Sequence, residues 1–152
     1  MRRKISSIFV IVLAMIVFQA SAQVTLKQDA RNFINRTNNI IMKAKGAVEV
    51  GKVYTGDVTK AVHHQKYARE MFKQGKFNDA IFHSYRARQL AFAAIKANKA
   101  AVSDDMQATD NEKTLVKNIP DDRTLDSQVK VPATANDQNV LKDKEEDIPA
   151  EK

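Results

Sequence analysis

Three histidines are the side chains of this 152-residue sequence best suited to metal or proton chemistry. His63 and His64 are adjacent, so on a helix they would project about 100° apart and could not bind one ion together. His64 and His83 are expected to lie close across a helical hairpin. No carboxylate is obviously placed as a third ligand, and metal sites normally use three or four protein ligands. We therefore expect His64 to be a partly buried residue hydrogen-bonded to Ser84, and we expect no metal or other cofactor.

Basic side chains form a second candidate site. Spacings of 3, 4 and 3 place four of them on one face of a predicted helix, and two arginines follow on the next helix; the six are Lys66, Arg69, Lys73, Lys76, Arg86 and Arg88. Tyr67 and Phe82 are expected to be exposed beside them. An apolar patch with a basic rim suits a protein partner, an anionic lipid or polymer, or the chain's own acidic tail. No aromatic-interleaved or groove-reading motif indicates nucleic acid.

Catalytic motifs are absent from the sequence. It contains no cysteine, no G-x-S-x-G, no glycine-rich phosphate loop and no H-E-x-x-H. The five acidic residues between positions 23 and 102 are scattered rather than paired. Because catalysis needs convergent acid, base or metal groups, we expect a protein that binds rather than an enzyme.

Residues 1–22 have the pattern of a secretory signal peptide. Three basic residues precede an apolar run of 11 residues, and Ala20-Ser21-Ala22 supplies the small-x-small cleavage pattern. Eleven residues are too short to span a bilayer as a helix. The sequence thus predicts an exported protein, periplasmic or secreted, that begins at Gln23 and keeps no transmembrane anchor.

Charge divides the remaining chain near residue 103. Residues 23–102 carry 15 Lys and Arg against five Asp and Glu, whereas residues 103–152 carry seven against 13. The second part also contains all three prolines and no aromatic residue. Such a segment buries too little apolar surface to offset its chain entropy, so a largely disordered acidic tail is predicted.

The first part is predicted to be helical throughout. Apolar residues alternate at spacings of 4 and 3 from Leu26 to Gly51, which indicates a first helix over about 24–50. A second helix is predicted over 57–74 and a third over 78–102. The third carries a row of mostly small residues that would let the second helix approach closely. Short loops make neighbours antiparallel, so an all-α, up-down-up three-helix unit is expected.

The turn between the second and third helices resembles that of a tetratricopeptide repeat. The pattern has a small residue in the first helix, a Gly-x-aromatic turn and two alanines seven apart, here Ala68, Gly75, Phe77, Ala80 and Ala87. His64 and Ser84 depart from it, since large apolar residues are usual there, and no second copy is visible. The same 30 residues are similar to alanine-rich periplasmic helical hairpins of unknown function. Either resemblance implies a helical hairpin with a protein-binding surface.

These features predict an exported, non-catalytic helical module that binds a protein in the cell envelope. Two alternatives remain open at this point. One is a periplasmic metal- or small-ligand-binding protein that uses His64 and His83. The other is a structural helical oligomer.

Overall fold

Three long helices form the body of the protein. In the computed structural model, the backbone is described for residues 5–150 and the side chains for residues 23–150. The body helices are α1 (Ile5–Gly51), α2 (Asp57–Lys73) and α3 (Phe77–Ala97). No strand occurs within residues 5–150, so the predicted all-α class is confirmed for that part of the chain.

Contacts between the helices show the predicted up-down-up order. α1 and α3 run in the same direction, because the residue numbers of contacting residues increase together. Thr37 contacts Arg88, and Gly51 lies beside Asn98. α1 and α2 run in opposite directions. A short loop joins Gly51 to Asp57, and Gln65 then contacts the carbonyl of Ile34, well before the end of α1. α1 and α3 are thus parallel and pack directly against each other, and α2 runs antiparallel to both.

The interior combines a row of bulky residues on α1 with a row of small residues on α3. Ile34, Ile41 and Val48 of α1 are all completely buried. The small row of α3 is buried as well and comprises Ala80, Ser84, Ala87, Ala91 and Ala94. Small side chains at spacings of 4 and 3 let neighbouring backbones come close, so the row lies where the three helices meet.

Glycine ends α2 in the way its sequence position predicts. Gly75 has φ 77°, in the left-handed region. Its N–H donates to the carbonyl of Phe72 (3.0 Å), and the N–H of Lys76 donates to that of Met71 (2.9 Å). These two bonds form a Schellman motif, which satisfies carbonyls that the end of the helix would leave unpaired.

The third helix is shorter than its sequence pattern predicts. It ends at Ala97 rather than near residue 102. Asn98 holds the backbone of Val53 through both side-chain atoms, and Lys99 then adopts φ 55°. The C-terminus of α3 is therefore set by the contact of Asn98 with the loop after α1, although the apolar spacing in the sequence continues to about residue 102.

Residues 103–150 lie against the body in this structure, and the predicted disorder of the tail is not confirmed. They contain a 3₁₀ turn (Asp104–Met106) and three short helices, α4 (Asp110–Leu115), α5 (Asp122–Gln128) and α6 (Asp137–Val140). Met106, Leu125 and Val140 are buried. Composition indicates only how much apolar surface the tail could bury within itself. The structure instead buries these anchors against the body and pairs tail carboxylates with its basic residues.

The predicted leader lies only partly within the described residues. The backbone of residues 5–22 belongs to α1, which continues through the expected cleavage point after Ala22. Residues 1–4 and the side chains of residues 1–22 lie outside the description. Within the described part of the chain, no helix combines the length and the apolar character that a membrane span requires.

Candidate functional site

A groove between α1 and α2 holds the end of the tail. We define the tail groove by five residues, Asn35, Asn38, Lys45, Gln65 and Arg69, and the terminal segment as residues 143–148. The terminal segment has no regular secondary structure. Lys45 binds its first half and Asn35 its last residue. Residues 35 and 45 are about 15 Å apart along a helix. The roughly five residue steps of the terminal segment can span that distance only if its backbone is nearly extended. The segment therefore lies stretched out and antiparallel to α1.

Asn35 binds the main chain of the terminal segment. Its Oδ1 accepts from the N–H of Ile148 (2.8 Å), and its Nδ2 donates to the carbonyl of the same residue (3.0 Å). One amide side chain thus satisfies both backbone groups of one residue. An extended segment has no helical partners for these groups, so the pairing lets it lie in a partly buried position.

Asn38 continues this recognition one turn along α1. Its Nδ2 donates to the carbonyl of Glu146 (2.9 Å) and to Oδ1 of Asp147 (2.7 Å). Gln65 of α2 fixes the orientation of the amide, because its Nε2 donates to Asn38 Oδ1 (2.6 Å) and to the carbonyl of Ile34 (2.8 Å). Asn38 and Gln65 are both buried, so the hydrogen bonds that orient the Asn38 amide are shielded from water.

Glu145 is the charged anchor of the terminal segment. Its side chain is 1% exposed and lies between Lys45 Nζ (2.8 Å) and Arg69 Nη1 (3.2 Å). Lys45 is itself 3% exposed and also donates to the carbonyl of Asp143 (2.8 Å). A lysine buried this deeply needs a counter-charge, since an unpaired buried ion costs several kcal/mol. The groove is therefore built to hold a carboxylate at this position.

An apolar contact completes the groove at its far end. Ile148 packs against the buried cluster of Ile34, Ala68 and Met71, with Tyr67 and Phe72 at the edge of the cluster. The groove thus recognises three different properties of the terminal segment, namely its main chain, one carboxylate and one aliphatic side chain.

The predicted basic candidates do not all lie together. Lys66 and Arg69 contact tail carboxylates beside the groove, at Asp143 (3.3 Å) and Glu145. Lys73 is exposed and lines one pocket with Lys66 and Arg69, whereas exposed Lys76 lies beyond the end of α2 rather than on its face. Arg86 binds Asp122 and Asp126 of the tail (both 2.8 Å). The six residues therefore do not form one continuous surface.

Arg88 does not belong to the predicted partner surface, because it is only 1% exposed. Its guanidinium lies 4.3 Å from the ring centre of Phe33 and donates twice to Glu112 of α4 and twice to Thr37. Burial disfavours the ionised Glu112, but the hydrogen bonds and charge of Arg88 outweigh it, so the pKa of this carboxyl is lowered. Arg36 also pairs with Glu112. Arg88 is thus part of the core and not of a surface.

The predicted aromatic patch is also corrected. Tyr67 and Phe82 are half-buried rather than exposed. Tyr67 lies edge-on to the His83 ring, with ring centres 4.5 Å apart, and Phe82 packs beside Phe33 and Ile81. Both rings therefore complete the packing between helices and do not form an exposed apolar patch.

The structure brings His64 and His83 together but not as predicted. Their Nδ1 atoms are 3.1 Å apart, while His64 Nε2 meets Asp126 Oδ1 (3.1 Å) and His83 Nε2 meets Gln128 (2.9 Å). The predicted partner, Ser84, makes no hydrogen bond to a described residue through its buried Oγ. Within residues 23–150, no group of three or more His, Asp or Glu side chains is arranged to hold a metal ion.

Both buried histidines favour the neutral form. Burial, followed by the neighbouring His83, lowers the pKa of His64 to about 4. Burial also lowers the pKa of His83. Because a carboxylate only accepts, the proton of neutral His64 lies on Nε2, and His83 must donate from Nδ1. Nε2 of His83 then accepts, so the side-chain amide of Gln128 must present its NH2 group to that atom. The pair therefore helps to attach α5 to the body.

The tail groove was not predicted from the sequence. Asn35, Asn38 and Lys45 lie along one side of α1, next to the apolar stripe, but asparagine and lysine there resemble ordinary surface residues. One signal was available, namely Gln65, a polar residue at helical spacing from the apolar Ala61, Val62 and Ala68 of the second helix. Its role becomes visible only with α1 and the terminal segment in place.

Comparisons with known proteins leave the chain without an assigned family. No protein-family model matches it, and neither the curated proteins nor the solved structures contain a significant match. The resemblance to a tetratricopeptide hairpin is compatible with the observed α2–α3 pair and stays a prediction.

Proposed function

We propose that this protein is a non-catalytic interaction module whose tail groove binds an extended acidic segment of a protein. The observation that carries the proposal is the pairing of Asn35 with both backbone groups of Ile148. Recognition of main-chain groups together with a buried carboxylate is how a protein binds a peptide, because these contacts need no particular fold in the ligand. In the present structure the bound segment is the chain's own tail.

The remaining contacts of the groove support the same function. Lys45 and Arg69 converge on one carboxylate, and Gln65 holds Asn38 ready to bind a backbone carbonyl. These groups are supplied by two packed helices, so little conformational entropy is lost when a ligand binds. A preorganised groove of this kind suits reversible binding better than catalysis.

The proposed place of action is outside the cytoplasm. The support is the leader pattern of residues 1–22, with cleavage expected after Ala22. The intact mass of the protein isolated from its native host would test this. A mass that includes residues 1–22 would contradict export by cleavage.

A test of the groove compares two charge reversals in the full chain. Glu145→Lys places a positive charge between Lys45 and Arg69 and should expel the terminal segment. Glu146→Lys is the matched control, because that side chain is exposed and only its backbone carbonyl is held. A fluorescent peptide of residues 143–150 should then bind the Glu145→Lys chain and show little binding to the control or to the unaltered chain.

Adding Asn35→Ala to the Glu145→Lys chain should abolish peptide binding, since the main-chain contacts to Ile148 are lost. Asn39→Ala is the control for this step, because Asn39 is an exposed neighbour on the same helix. The proposed function is wrong if the folded Glu145→Lys chain does not bind the peptide, or if Asn35→Ala leaves its binding unchanged.

A further inference from the structure

The resident tail shows which side chains of a ligand the groove can distinguish. At Glu145 one oxygen of the carboxylate faces the buried Lys45 and the other faces the partly buried Arg69, whereas Glu146 is held only through its backbone carbonyl. Asp147 meets the amide of Asn38, and Ile148 fits the apolar cluster. Side-chain identity is thus recognised at three positions and is free at the fourth.

We propose that the groove selects partner segments of the pattern Glu-x-Asp-aliphatic, and that the chain's own Glu145–Ile148 acts as an internal competitor for them. This proposal rests on the proposed function, and it adds the sequence class of the partner and a means of regulation. The partner it describes is a protein with an exposed, flexible acidic stretch that ends in Ile, Leu or Val.

The order of importance among the positions follows from burial. The carboxylate of Glu145 is 1% exposed and faces two cations, so its loss leaves Lys45 and Arg69 without a counter-charge. The aliphatic position contributes by removing apolar surface from water. Position 146 points to solvent and should tolerate any residue.

Competition with the tail sets a requirement for the partner. A tethered segment is present at an effective concentration that reaches about millimolar for a short flexible linker. The attachment of α6 to the body shortens the free linker further, because Val140 is buried only three residues before the terminal segment. A partner must therefore bind more tightly than the isolated tail sequence, or it must bind when the tail has been released.

The experiment uses the full Glu145→Lys chain and a set of fluorescent octapeptides that correspond to residues 143–150. Replacing the residue that corresponds to Glu145 by Gln should weaken binding by about tenfold or more. Replacing Ile148 by Ser should weaken it several-fold, and replacing Glu146 by Gln, which changes the net charge equally, should alter it by less than about twofold. Fluorescence polarisation at fixed ionic strength gives the dissociation constants.

The possible outcomes separate this inference from the proposed function. If no peptide binds a folded chain, the proposed function fails and the inference fails with it. If the Glu145 and Glu146 replacements weaken binding equally, the groove responds only to net charge, and the selectivity inference alone is overturned. If Glu145→Lys prevents folding, as judged by circular dichroism, Glu145→Gln combined with Ile148→Ser provides a second opened chain, because it removes the buried carboxylate and the aliphatic contact without adding a charge.

For the internal competition, the same peptide is titrated into the unaltered chain. An apparent affinity at least about tenfold weaker than for the opened chain is expected, since the tethered copy occupies the groove. Equal affinities in the two chains would overturn the competition.

Discussion

Arg88 on α3 binds both carboxylate oxygens of Glu112 on α4, with both distances 2.9 Å. The arginine is 1% exposed, and the contact joins the centre of the helical body to a part of the chain that composition alone describes as a disordered tail. A two-pronged contact of this type fixes direction as well as distance. It attaches α4 to α3, and the pairing of Arg36 with the same carboxylate attaches α4 to α1 as well.

Removing Glu112 should be strongly destabilising. Glu112→Ala leaves the buried Arg88 without its counter-charge, and we expect the free energy of unfolding to fall by about 3–5 kcal/mol. The double variant Arg88→Met with Glu112→Ala should recover part of this loss, since no buried charge then remains. Urea unfolding followed by circular dichroism measures both. A cost below about 1 kcal/mol for Glu112→Ala would contradict the importance of the pair.

Asp137 should stabilise the start of α2 from a distant part of the sequence. Its Oδ2 accepts from the N–H of Gly56 (2.7 Å), and its Oδ1 accepts from the N–H of Thr59 (2.9 Å). Asp137→Ala removes a capping carboxylate from the positive end of a helix and should cost about 2 kcal/mol. Amide hydrogen exchange at Thr59 should accelerate by a corresponding factor.

The control for Asp137 is Asp143→Ala, which removes the 3.3 Å pair with half-exposed Lys66. A pair of that kind contributes about 0–1 kcal/mol. If the two variants lose equal stability, Asp137 has no special capping role.

Two glycines of α1 should respond to alanine in opposite directions. A Cβ at Gly51 would lie 2.4 Å from Oδ1 of Asn98, so Gly51→Ala should displace the bonds from Asn98 to Val53 and cost about 1–2 kcal/mol. A Cβ at Gly46 meets nothing within 4 Å, so Gly46→Ala should stabilise the helix by about 0.5–1 kcal/mol. Thermal unfolding of both variants tests this, and a stabilising Gly51→Ala would contradict the close approach.

Acidification should weaken the fold through His64. The unfolded residue takes up a proton near pH 6.5, whereas burial holds the pKa of the folded one at about 4. Between these values the unfolded state binds more protons, so the free energy of unfolding falls as pH decreases, by on the order of 2 kcal/mol. The lowered pKa values of Asp126 and Glu112 add losses at still lower pH, below the ordinary range of a carboxyl.

His64→Gln should flatten the pH dependence of unfolding between pH 6.5 and 4, and His63→Gln is the matched control. His63 is only half-buried, and its pKa is lowered by burial and by Lys66, so the control should retain most of the slope. A second measurement uses the hydrogen bond between the two Nδ1 atoms. Protonated His64 would donate from its Nδ1, so Nδ1 of His83 would have to accept. Ring ¹⁵N shifts should show that change of the His83 tautomer on acidification, and no change would contradict the direct contact of the two rings.

The helical body was predictable because its information is local. Spacings of 4 and 3 among apolar residues indicate buried helix faces, and the row of small residues around Ala87 indicates where two helices approach. Gly75 marks a helix end because few residues other than glycine adopt its left-handed φ without cost. Each of these signals arises within a few turns of one helix.

The end of α3 and the environment of the histidines were not predictable in the same way. Asn98 ends its helix through a contact with Val53, which lies 45 residues earlier. His64 binds Asp126 across 62 residues instead of Ser84 on the neighbouring helix. In both places a polar side chain had several possible partners, and periodicity does not rank them.

The sequence by itself determined the all-α class, the three body helices and the division of charge between body and tail, because period and composition are properties of the chain alone. Only the tertiary structure decided that the acidic tail lies in contact with the body, that Arg88 belongs to the core, and that Asn35 and Lys45 form a groove. The physical reason is that a carboxylate such as Glu145 can be buried only where cations and backbone donors converge. That convergence involves residues about 100 positions apart, for which the linear sequence carries no periodic signal.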